Sequence, residues 1–77
     1  MATIGQTVEF FHRGSARMLA TITNVIGEGR MPAHQTAMLP VVDLDVDGDV
    51  DTHVMVWPAG VEPDKDTLRG GRWAREL

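Results

Sequence analysis

From Val42 to Asp51 the chain alternates strictly between apolar or small residues and aspartate, with carboxylates at Asp43, Asp45, Asp47, Asp49 and Asp51. A period of two is the signature of a β-strand, because successive side chains point to opposite faces. Asp47-Gly48 in the middle marks a tight turn, since glycine tolerates the positive φ that hairpin turns need. The segment therefore predicts a β-hairpin with one apolar and one acidic face. A two-residue loop of Asp47 and Gly48 would set Val46 opposite Asp49 and Asp45 opposite Val50, mixing charge with apolar residues on both faces. The pattern disfavours that register. Two three-residue loops keep the faces uniform. One pairs Asp45 with Asp49, Leu44 with Val50 and Asp43 with Asp51; the other pairs Val46 with Val50 and Asp45 with Asp51. Both set carboxylate against carboxylate, which is destabilising.

The rest of the chain supports an all-β reading. Thr7 to Phe11 alternates, and Arg17 to Ile26 places Met18, Ala20 and Ile22 on one face. Asn24 breaks that parity, and a β-bulge there would restore it. Gly27 to Pro40 reads as one long loop, of a length that is usually functional or mobile in so small a domain. Val41 to Val46 and Val50 to Trp57 form the hairpin, Pro63 to Asp66 a turn or one helical turn, and Arg72 to Glu76 a last strand. Five short strands predict a single domain over residues 1–77, a small five-stranded antiparallel SH3-like barrel with one long loop; an OB-like barrel is the alternative. The expected core is Val8, Phe10, Ala20, Ile22, Val42, Leu44, Val54 and Val56, with at least one of Trp57 and Trp73 buried.

Small β-barrel proteins of unknown function encoded by tailed bacteriophages and prophages resemble this chain. The likeness rests on Ala2 to Val8, Ala20 to Thr23, Val42 to Val46 and Gly70 to Trp73. It covers the strands but neither the long loop nor the acidic turn. It implies a phage-type accessory or virion-associated role, in the host cytoplasm or the virion, and carries over no catalytic residue.

Composition narrows the function classes. The chain has 77 residues, no cysteine, and 7 basic against 11 acidic residues, a net charge of −4. Leaving out the five hairpin aspartates makes it 7 against 6, a net of +1, so the acidity is local. Nucleic-acid binding needs clustered Lys and Arg, and the charge balance disfavours it. No apolar run approaches the roughly 20 residues of a membrane span. Without cysteine there is no thiolate metal site, and no cofactor motif is present. Catalysis has little support, because an open hairpin offers no cleft that would separate the pKa values of paired acids.

Two surfaces remain as candidates for a protein partner or a second copy of the chain. The first is the acidic row Asp43, Asp45, Asp47, Asp49 and Asp51. Its first nine positions resemble a calcium loop, but Val54 stands where the twelfth ligand belongs. Asp43, Asp45, Asp49 and Asp51 are thus weak candidates for a divalent cation, with His53 close by. Charges repeated at the strand spacing of roughly 6.6–6.8 Å could also occupy a basic groove on another protein. The second surface is the long loop, whose Met31, Met38 and Leu39 either stay exposed until a contact buries them or fold back with the loop to cap the barrel.

Overall fold

The computed structural model describes residues 2–12, 17–30, 38–63 and 65–77. Five strands, β1 (Thr7–Phe11), β2 (Met18–Arg30), β3 (Met38–Val46), β4 (Asp49–Trp57) and β5 (Trp73–Glu76), close into a barrel in the order β1-β2-β3-β4-β5. One short helix, α1 (Lys65–Gly70), precedes the last strand. The strands adjoin in chain order with no Greek-key crossing, which favours the SH3-like arrangement over the OB-like one. The antiparallel expectation needs one correction, since β4 and β5 pair in parallel. Residues 58–72 carry α1 as a crossover and return the chain to the same end, as a parallel connection must. Among the described residues, no helix is long and apolar enough to cross a membrane.

The interior follows from alternation. All eight expected core residues are buried, joined by Val46 and Ala74. Trp57 and Trp73 are buried as well, but outside the barrel, in a second cluster with Leu39 against which Phe11 and Met55 pack. Phe11 stacks on Trp73 with centroids 4.2 Å apart, and the Arg75 guanidinium lies over both rings. Arg75 also pairs with Glu9, which holds Arg17 too. Burial alone would raise the Glu9 pKa; the hydrogen bonds and charges of the two arginines outweigh it and hold the carboxyl below its ordinary range.

Strand β2 carries two register shifts, between Ile22 and Asn24 and between Val25 and Gly27. The first is the bulge that the parity break at Asn24 predicts. The long loop, by contrast, is shorter than Gly27 to Pro40. Gly27, Glu28, Gly29 and Arg30 pair with Val41, Pro40, Leu39 and Met38, so strand continues to Arg30 and resumes at Met38. Gly29 allows this by its lack of a side chain. A Cβ there would meet Val41 Cγ2 at 3.1 Å and Met55 Cε at 3.4 Å. Pro40 is tolerated because β4 begins to pair with β3 only at Val41.

Candidate functional site

The β3–β4 hairpin turns on Asp47 and Gly48, with φ of 55° and 91°. Two consecutive positive values are the mark of a type I′ turn, whose twist matches that of the flanking strands. The Gly48 N–H donates to Asp45 Oδ1 at 3.0 Å. The register is Val46 to Asp49, Asp45 to Val50 and Leu44 to Asp51. This is the register that the charge pattern disfavours, and both three-residue loops are overturned. No carboxylate of the hairpin stands directly opposite another in these pairs; each faces an apolar residue.

Position along the barrel explains why the mixture is tolerated. Directly paired residues share a face. Asp49 and Asp51 thus fall on the side of Val46 and Leu44, but where the barrel opens to water. Val50 falls outside beside Asp45 and is 64% exposed. Continued inward, the same register would drive charge into the core and valines out of it. A bulge prevents that. Between the pairs Leu44–Asp51 and Val42–Val54, the single residue Asp43 faces both Thr52 and His53. His53 takes a φ of 58°, and the extra residue returns Val54 and Val56 to the interior.

The five aspartates consequently do not form one stripe. Asp43 and Asp45 lie on the outer face, Asp47 in the turn, and Asp49 and Asp51 at the barrel mouth. Asp43 has one carboxylate oxygen, Oδ1, buried with no hydrogen-bond partner among the described residues. Its backbone carbonyl accepts from Thr23 Oγ1 at 3.3 Å. The four weak cation candidates are split between two faces, and among the described residues no three His, Asp or Glu side chains are grouped as metal ligands. His53 is exposed at the bulge.

The mouth forms an open concavity of about 360 Å³. Phe10, Met18 and Val46 give it an apolar floor, and Asp47, Asp49 and Asp51 give it an acidic rim. His12 lines the same cavity and stacks on Phe10 with centroids 6.4 Å apart. Arg72 reaches the rim from the segment before β5. Its Nη1 donates to Asp51 Oδ1 at 3.0 Å and to the Thr52 carbonyl at 3.1 Å. Among the described residues, no ion pair reaches Asp45, Asp47 or Asp49.

The other candidate surface changes more. Leu39 is 4% exposed and belongs to the tryptophan cluster, so it is not a free loop residue. Met38 is 48% exposed at the start of β3 and borders the opposite mouth, beside Pro40 and Glu28. Met31 lies outside the described residues. The floor residues and Arg72 were not legible as site residues. Phe10 reads as core, Met18 shares a strand face with Ala20 and Ile22, Val46 lies on the apolar face of the hairpin, and no local pattern links Arg72 to an aspartate 21 positions away.

No protein-family model matches the chain, and no curated protein or solved structure gives a significant match either.

Proposed function

We propose that this chain is a non-enzymatic small β-barrel that works by protein–protein contact, with the acidic end of the β3–β4 hairpin as its docking element. One observation carries the reading. Asp45, Asp47 and Asp49 gather around a tight turn with no cationic side chain paired to them among the described residues, beside the exposed Val50. Uncompensated charge of one sign on a rigid turn is suited to steering a basic partner surface into register. The resemblance to phage-encoded barrels makes a virion component or a host protein the kind of partner to test first.

The test is capture of partners from the native host with the wild type and with Asp45→Asn/Asp49→Asn. Asparagine keeps the oxygen that Gly48 uses at position 45, so the turn survives. A docking hairpin should lose most of its association rate in the double variant, and lose binding steeply as salt rises. Capture that is indifferent to both changes would move the contact elsewhere on the barrel.

A further inference from the structure

The cavity at the barrel mouth says what part of a basic partner it accepts. We infer that it seats one arginine side chain, the aliphatic stem on Phe10, Met18 and Val46 and the guanidinium among Asp47, Asp49 and Asp51. The inference rests on the docking role proposed above and names the group that docks. Two features of the mouth point to it. First, apart from His12 the lining is divided, apolar below and carboxylate above, and an amphipathic side chain with a long stem and a charged head matches that division. A bare cation would leave the apolar floor unused, and an apolar side chain would leave the acids facing it. Second, the rim already holds a guanidinium. One nitrogen of Arg72, Nη1, donates to both Asp51 Oδ1 and the Thr52 carbonyl. It engages one of the three rim carboxylates, and among the described residues no ion pair occupies Asp47 or Asp49, which face an incoming head group. The volume of about 360 Å³ is at the small end of ligand pockets, enough for a side chain and too little for a folded element.

The probe is n-butylguanidinium, which carries stem and head, compared with guanidinium, which is the head alone. Both are titrated at low millimolar concentration into the full chain while the methyl signals of Met18 and Val46 are followed by NMR. The expected result is saturable shifts at both methyls and a dissociation constant at least about fivefold lower for n-butylguanidinium, because each buried methylene contributes to transfer from water. Asp47→Asn/Asp49→Asn should weaken binding roughly tenfold. Glu28→Gln/Glu62→Gln makes the same change in net charge away from the mouth, and should leave binding within about twofold. Equal affinity for the two probes, equal effects of the two double variants, or shifts confined to the outer face would each overturn the inference. Retained methyl dispersion in the unliganded variants confirms the fold. If n-butylguanidinium binds as described but no partner is captured, the docking role fails and the cavity assignment stands. If a partner is captured through Asp45 and Asp49 while the probe ignores the mouth, the cavity assignment fails alone.

Discussion

His53 decides whether the acidic hairpin has the geometry described, and replacing it separates two opposite expectations. The side chain is exposed, so no packing is lost when it changes. If position 53 were ordinary strand, His53→Val would stabilise the protein, because valine is the better strand former by up to about 1 kcal/mol. The structure places this residue at a φ of 58°. A β-branched side chain is strongly disfavoured there, and backbone strain of this kind costs about 1–3 kcal/mol. Histidine already carries part of that cost, so the net penalty for valine is about 1–2 kcal/mol. For a domain of this size each kcal/mol moves Tm by about 4–8 °C, giving an expected fall of about 5–15 °C. His53→Gly is the control. It relieves the left-handed strain but adds unfolded-state entropy of about 0.4–1 kcal/mol, so Tm should stay within a few degrees. Thermal unfolding followed by circular dichroism measures both. A valine variant that melts above the wild type would refute the bulge, and with it the division of the aspartates between two faces.

Two further outcomes test the frame around the site. Gly48→Ala should destabilise by about 1–2 kcal/mol through backbone strain alone, because φ is 91° and an added Cβ meets nothing within 4 Å; a neutral result in chemical denaturation would exclude the positive-φ turn. Glu9 has its folded pKa held below the ordinary 4.5 once the arginines outweigh its burial. Its stabilising effect is present above the unfolded pKa and is lost as pH falls through the folded one. Glu9→Gln should therefore melt below the wild type near neutral pH, with the gap closing in acid; a gap of constant size from pH 7 to pH 3 would contradict the ion-pair assignment.

Much of the barrel was legible because alternation is local. Val8 and Phe10, Ala20 and Ile22, Val42 and Leu44, and Val54 and Val56 each announce an inward face two residues at a time, and all are buried. The bulge before Asn24 was legible for the same reason, as a break in that alternation. The Gly27 to Pro40 stretch misled because its glycines and proline are loop signals by propensity. What overrides them is non-local: β3 lies alongside, and the bare backbone of Gly29 makes room for Val41 and Met55. Leu39 became core through the tryptophans at positions 57 and 73, contacts that no short window contains. The parallel pairing of β4 with β5 likewise depends on how residues 58–72 return.

The acidic hairpin is more instructive, because Asp47-Gly48 marks where the chain turns, while the turn is two residues long and both three-residue loops give the wrong register. Asp47-Gly48 is a strong two-residue turn signal. The charge pattern argues against it, because it pairs carboxylates with valine and leucine. That objection assumes that both strands are regular and that each face keeps one character to the tip. Neither holds. The mouth of a barrel is where an inward-pointing residue can reach water, so inward aspartate is tolerable at 49 and 51 and would not be at 54 or 56. A one-residue bulge then resets parity between the two zones. The sequence carries no glycine at the bulge to reveal it, only His53, a residue type enriched among non-glycine residues at positive φ. The consequence is functional. Had the faces stayed uniform, five aspartates would line one exposed strand surface opposite each other, costly and offering only charge. The bulge instead carries Asp49 and Asp51 over an apolar floor, where charge and hydrophobic contact can act on the same side chain.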